Sequence, residues 1–177
     1  MAETKDFVFI FPIIAAAVLL ISLLFPIMSV SIFYSGIIDP AIVGDLLPFG
    51  GGIMDELAPF LLLVPELSSL QSGFLFLGIG FTAFFILGAV LLIVSGIRVK
   101  TGRKELKKAR KKWLRNGLSY IISEMILFLI LVYGVPYGFQ QLGIALEISF
   151  FMGIGMILII VAGGILILAY ILAKIKD

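Results

Sequence analysis

One acidic residue lies inside a long apolar segment and is the side chain best suited to chemistry. Glu124 follows Arg115 by nine residues, so in a helix it lies about 13 Å further along the axis, in the inner third of a bilayer. A carboxyl group in a membrane span is energetically costly and is a candidate proton- or cation-binding position. The alternative is a structural hydrogen bond to a neighbouring helix, or snorkelling toward nearby basic residues. The sequence favours this alternative, because no second acid or base lies within a span to partner Glu124.

The composition excludes several classes of site. The chain has no Cys and no His, which rules out disulfides, thiolate nucleophiles, Cys/His zinc sites, histidine-ligated haem and the usual general base at neutral pH. It contains no phosphate-binding loop and no GxSxG, HExxH or CxxC motif. An enzyme that acts on lipids through carboxylates stays open as the least favoured hypothesis. We therefore expect no catalytic residue, no metal and no cofactor.

Acidic residues also occur in the segment between the first two apolar runs. Their oxygens could bind Ca²⁺, but their spacing matches no EF-hand loop, so a solvated negative surface is the expected role. The five acids are Asp39, Asp45, Asp55, Glu56 and Glu66.

A basic segment at 98–116 carries ten of the thirteen Lys and Arg residues. Leu106, Ala109 and Trp113 recur at helical spacing, which predicts a basic amphipathic helix against the inner leaflet with Trp113 at the headgroup level. We expect this segment to fix the topology and to contact anionic lipids; a docking site for an acidic cytoplasmic partner is the alternative. Nucleic-acid binding is not expected, since one short helix offers few phosphate contacts. The predicted headgroup contacts are Lys104, Lys107, Lys108, Lys111, Lys112, Trp113 and Arg115.

Small residues recur every seven positions on three of the apolar runs. This spacing keeps a seam on one face of a left-handed bundle, and small side chains let helix backbones approach closely. The seams predict packing within one bundle; docking onto another subunit is the alternative. The seam residues are Ala15, Ser22, Ser29, Thr82, Ala89, Gly96, Gly155, Ala162 and Ala169.

The elements that must position these residues are membrane helices. The chain has 177 residues, of which 62% are apolar and 14% charged, and its mean hydropathy is +1.24. Soluble domains average about 45–50% apolar and about 25% charged residues. Four runs are long enough to cross a bilayer, and they predict an all-α four-helix transmembrane bundle that forms a single domain over 1–177. The predicted spans are 7–33, 73–97, 117–135 and 148–173.

The distribution of basic residues predicts the orientation. With four spans, all thirteen Lys and Arg residues fall on one side, together with both termini, so the positive-inside rule predicts N-in and C-in topology in the plasma membrane. The outer loop 34–72 contains neither Lys nor Arg. The end of the first run, Met28–Phe33, has the β-branched and aromatic content of a strand. A single Asn, three Gln and no Cys are also typical of thermophile proteins.

This order of elements is similar to the tetraspan class typified by claudins. The similarity consists of four spans, cytoplasmic termini and a larger first outer loop that begins in a strand-like run. The Trp-Gly-Leu-Trp and paired-Cys signature of claudins is absent from 34–72. The resemblance therefore concerns topology and implies no activity.

The leading functional expectation is a non-enzymatic scaffold or accessory subunit that packs against other membrane proteins or copies of itself. The alternative is a small oligomeric channel or transporter in which Glu124 lines an ion or proton path. An accessory subunit should expose an apolar, partner-facing surface, whereas a channel should place Glu124 around a shared axis.

Overall fold

The computed structural model describes residues 7–34, 42–48, 68–103, 105–141 and 146–175. These residues are mostly helical. In chain order the elements are α1 (Ile10–Ser22), β1 (Met28–Tyr34), β2 (Ile42–Leu46), α2 (Ser68–Lys100), α3 (Leu106–Leu129), a π-helical turn (Ile130–Gly134), α4 (Val135–Gln141), β3 (Leu146–Met152) and α5 (Ile154–Ile175).

Three helical segments are long and apolar enough to cross a membrane: Gly78–Lys100, Leu106–Gly138 and Ile154–Ile175. The chain is therefore a helical membrane protein. A fourth apolar helix, α1, has 13 residues and a length of about 20 Å, less than the roughly 30 Å of a hydrocarbon core. The fourth crossing and the orientation stay predictions.

The first apolar run does not form one helix over 7–33, as the sequence predicted. α1 ends at Ser22, whose hydroxyl donates a 2.6 Å hydrogen bond to the carbonyl oxygen of Leu19. Pro26 follows four residues later and lacks the N–H that a continuing helix needs. The strand-like run after it forms β1, which confirms the strand expected at Met28–Phe33.

A three-stranded antiparallel sheet corrects the all-α prediction. Its order is β2-β1-β3, so β1 is the central strand. Ser31 lies opposite Val43 on β2 and Ser149 on β3. Because β3 occupies Leu146–Met152, α5 begins at Ile154 and not at 148 as predicted.

The basic segment is the beginning of a membrane-spanning helix. α3 runs without a break from Leu106, so its first three turns carry the basic residues that the sequence assigned to a separate surface helix before a span at 117–135. Beyond Leu129 the helix widens into the π turn, where the N–H of Val135 bonds to the carbonyl of Ile130. Pro136 has no N–H to donate, which accounts for the altered hydrogen bonding at this point.

The contacts divide the chain into two compact units. Unit 1 comprises Met1–Ser22, Phe84–Glu124 and Leu158–Asp177, and unit 2 comprises Leu23–Ala83 and Met125–Ile157. Unit 1 is helical where the structure describes it, and unit 2 contains the sheet. The main buried side chains of unit 1 are Leu19, Phe85, Leu92, Trp113, Tyr120, Glu124, Ile159 and Leu166. Those of unit 2 include Ile27, Met28, Val30, Leu46, Leu131 and Met156.

Candidate functional site

The candidate site is the carboxyl group of Glu124, a buried residue of unit 1. The residue is 0% exposed. Neither carboxyl oxygen has a hydrogen-bond partner in the described part of the chain. Glu124 lies on the buried face of α3, which also carries Ala109, Trp113, Gly117 and Tyr120 at spacings of three or four residues. Helical periodicity therefore directs this carboxyl inward.

An aromatic cluster packs against the turn of α3 that precedes Glu124. The ring of Tyr120 lies 5.8 Å from that of Phe85 and 6.0 Å from that of Phe84, measured between centroids. The Tyr120 hydroxyl occupies the space that a Cβ on Gly88 would need. This arrangement brings α2 and α3 together through one large ring and one glycine.

Two glycines bring the backbones of α3 and α5 into direct contact. A Cβ on Gly117 would lie 2.7 Å from the carbonyl oxygen of Gly163, and a Cβ on Gly163 would lie 2.8 Å from that of Gly117. The side chain of Ile121 covers Gly163 from the next turn of α3. Backbone oxygens and the side chains of Ile121 and Leu166 therefore fill the interior at this level.

Trp113 is fully buried, which corrects its predicted place at the lipid headgroups. Its indole N–H donates a 3.0 Å hydrogen bond to the hydroxyl of Ser95 on α2. The pairing satisfies the polar edge of the ring and explains how this large residue is accommodated inside unit 1.

The basic residues of α3 lie at its amino-terminal end. Lys107, Lys108, Lys111 and Arg115 are exposed and Lys112 is half-buried; Lys104 lies outside the described residues. Lys108 forms an exposed ion pair with Glu105 at 3.4 Å. The exposed face of α3 then becomes apolar, with the side chains of Leu118, Ile122, Ile126 and Leu129. Contact with anionic lipid stays a prediction.

Two further basic side chains connect helices within unit 1. Arg110 donates a 3.3 Å hydrogen bond to the carbonyl oxygen of Ala173 near the end of α5. The Lys100 ammonium lies 5.0 Å from the centroid of the Phe9 ring, in cation–π geometry.

Seven of the nine predicted seam residues are buried within the isolated chain, and Ser29 and Thr82 are half-buried. A Cβ on Gly96 would lie 3.0 Å from the carbonyl oxygen of Phe9, so α2 passes close to the start of α1 at this glycine. Ser29 donates a 2.7 Å hydrogen bond to Asp45 across the sheet. The buried seam residues are Ala15, Ser22, Ala89, Gly96, Gly155, Ala162 and Ala169.

Of the five acids of the segment 34–72, Asp45 alone falls on described residues, at an exposed position of β2. Asp39, Asp55, Glu56 and Glu66 lie outside them. Across the described ranges, no group of three or more acidic, His or Cys side chains could hold a metal ion.

The sequence reading missed the Trp113–Ser95 hydrogen bond and the Gly117–Gly163 contact. Both residues could have been found from the buried stripe of α3, because Gly117 lies about one turn beyond Trp113 on it. Comparison with known proteins adds no functional assignment, since no family model, no curated protein and no solved structure matches the chain.

Proposed function

We propose that the chain is a non-enzymatic scaffold or accessory subunit of the plasma membrane, with both termini cytoplasmic. The observation that carries the proposal is that the helices of unit 1 close onto one another. Trp113, Phe85 and Tyr120 fill the space between helices, and the backbones of Gly117 and Gly163 touch. A protein packed in this way acts through its outer surface.

The outer surface offers extensive apolar faces for helix–helix docking. α2 exposes Phe84, Leu87 and Val94, and α5 exposes Val161, Leu168 and Ile171. Lipid tails cover such faces in a free subunit, and a partner helix can replace them through close packing.

The alternative is a small oligomeric channel or transporter with Glu124 on the path, and a channel of this kind is less well supported. A residue that lines a pore between copies must reach the surface of its own chain. Glu124 is 0% exposed in the isolated chain. Its burial therefore favours the scaffold over a pore at a shared axis.

The spacing of exposed residues along two helices supports the proposed seating in the membrane. On α2, exposed Phe76 precedes exposed Arg98 by a helix length of roughly 33 Å. On α5, exposed Ile154 precedes exposed Lys174 by roughly 30 Å. Both lengths match a hydrocarbon core with basic residues at one boundary.

The experiment is native mass spectrometry on tagged protein purified from its own membranes in mild detergent. A tagged, unrelated membrane protein of similar size, purified in parallel, identifies nonspecific binders. We expect a complex of fixed stoichiometry that contains different subunits. A ring of identical copies would favour the alternative, and a monomer with nothing attached would contradict both.

A further inference from the structure

We propose that Glu124 is a proton-binding site: its carboxyl group carries a proton in the resting molecule and exchanges it reversibly with water. In the binding step a hydronium ion gives its proton to one carboxylate oxygen and leaves as water, so the side chain changes from an anion to a neutral acid. This inference is independent of the scaffold role and stands whether or not a partner subunit exists.

Without a bound proton, Glu124 would be a buried negative charge. Glu124 is 0% exposed, and neither of its oxygens has a hydrogen-bond partner among the described residues. A carboxylate ion in such a place would lose its hydration and gain no counter-charge. A bound proton removes that charge without requiring another side chain.

No fully buried side chain described in unit 1 is basic, and the half-buried Arg110 lies roughly 21 Å from Glu124 along α3, bonded to the carbonyl of Ala173. The buried side chains of α1 are Pro12, Ala15, Ala16, Leu19 and Ser22, and those of α2 within this unit include Phe85, Ala89, Leu92 and Ser95. Those of α5 within this unit include Ile159, Ala162, Leu166 and Ala169. On α3 itself, Tyr120 is the other buried titratable group, and its hydroxyl lies against Gly88.

The nearest titratable group on α5 is distant from Glu124 along the helices. Tyr170, which is half-buried, lies roughly 10 Å along α5 from Gly163. Gly163 contacts Gly117, and Glu124 lies roughly 10 Å from Gly117 along α3. The hydrogen bond from Arg110 to Ala173 shows that Tyr170 lies toward the start of α3, whereas Glu124 lies toward its end. Tyr170 therefore does not pair with the carboxyl.

A metal cation is less suitable than a proton as the occupant, because it requires several oxygen ligands. Three hydroxyls of unit 1, those of Ser22, Ser95 and Ser123, already take part in hydrogen bonds. Ser22 donates to the Leu19 carbonyl, and Ser95 accepts the Trp113 N–H. Ser123, next to Glu124, donates to the carbonyl of Tyr120 at 3.0 Å. One carboxyl group is enough to bind a proton, whereas a metal ion needs further oxygen ligands to complete its coordination shell.

The test is infrared spectroscopy of the full chain in detergent, which separates the C=O stretch of a protonated carboxyl from the bands of carboxylates. We expect a protonated-carboxyl band at neutral pH that is lost reversibly at alkaline pH. The band should be absent in Glu124→Gln and unchanged in the matched control Glu105→Gln, which alters an exposed Glu directly before the same helix.

Three results would overturn the proposal. The wild-type protein could lack the band at neutral pH, the band could persist at every pH at which the fold survives, or sodium or potassium could abolish it at neutral pH. The third result would identify a metal-cation site instead.

A chemical measurement on the wild-type chain decides the matter if Glu124→Gln fails to fold. A hydrophobic carbodiimide reacts with protonated carboxyls in apolar surroundings, and peptide mass spectrometry locates the adduct. We expect the adduct on Glu124, with labelling that falls as the pH rises, whereas a water-soluble carbodiimide should label Glu105. Absence of a Glu124 adduct at neutral pH would contradict the proposal.

Discussion

Gly117 and Gly163 hold α3 and α5 at backbone contact. A Cβ on either glycine would lie within 2.8 Å of the carbonyl oxygen of the other. These two oxygens belong to helix backbones and have no rotamer by which to move away, and the Ile121 side chain also lies 2.7 Å from a Cβ on Gly163. The spacing of the two helices therefore depends on the absence of a side chain at these positions.

Gly163→Ala should lower the thermal unfolding midpoint in detergent. Overpacking a close contact costs about 1–3 kcal/mol, which corresponds to a decrease of roughly 2–10 °C for a chain of this size. The matched control is Gly164→Ala, one residue away, where an added Cβ meets nothing within 4 Å. Equal midpoints for the two variants would show that the helices separate without cost.

Ser95→Ala should destabilise the protein by leaving the buried indole N–H of Trp113 without an acceptor. An unsatisfied buried donor costs about 1–3 kcal/mol. The control is Ser119→Ala, which removes a hydroxyl from an exposed position of α3. In a double-mutant cycle, Trp113→Phe should reduce the effect of Ser95→Ala; additive effects would contradict the hydrogen bond.

Composition and run length were sufficient to predict the helical membrane class and most of three spans. The predicted helix over 7–33 was wrong for two reasons. An average hydropathy does not register Ser22 and Pro26, which end α1, and it does not distinguish the apolar strand β1 from an apolar helix. The start of the fourth span was wrong for a related reason. The strand β3 is apolar enough to extend the hydropathy signal of α5, and its pairing with β1 depends on residues more than a hundred positions away.

The site was predictable in part. Glu124 is identifiable from sequence as the one acid inside an apolar run, and helical spacing indicates that Tyr120 lies on the same face. The burial of Trp113 was not predictable, because its ring fits either an interface or an interior. The choice depends on Ser95, a residue of another helix that only tertiary packing brings into contact with it.

Gly153→Ala should disrupt the junction between β3 and α5. A Cβ there would contact the carbonyl oxygen of Pro26 and would lie 2.7 Å from that of Ile27. Gly153 also donates a 2.8 Å hydrogen bond to the latter oxygen. We expect a loss of about 1–3 kcal/mol of unfolding free energy, read as a lower denaturation midpoint. The control is Gly138→Ala, because an added Cβ there meets no atom within 4 Å. Equally small decreases in the midpoint for both variants would refute the close contact at Gly153.

Glu124→Met should leave the stability unchanged or raise it. The substitution keeps an unbranched chain of similar size and removes two oxygens that lack partners among the described residues. Removal of a buried polar group without a hydrogen-bond partner should raise the unfolding free energy by about 1–3 kcal/mol. Thermal unfolding measures the change, with exposed Glu105→Met as the control. A strong decrease confined to Glu124→Met would mean that the carboxyl makes a stabilising hydrogen bond.

The orientation can be measured cleanly because the chain contains no Cys, so each introduced thiol is the only one. Lys108→Cys places a thiol on the exposed basic end of α3, and Ser149→Cys places one at an exposed position of β3. The positive-inside rule predicts that a membrane-impermeant maleimide added to intact cells labels Ser149→Cys and leaves Lys108→Cys unlabelled.

Permeabilisation should then make both thiols reactive, which controls for thiols that are hidden by packing. The reverse pattern in intact cells would show that the basic end faces outward. Labelling of both variants before permeabilisation would mean that the two thiols lie on the same side, and the predicted topology would have to be abandoned.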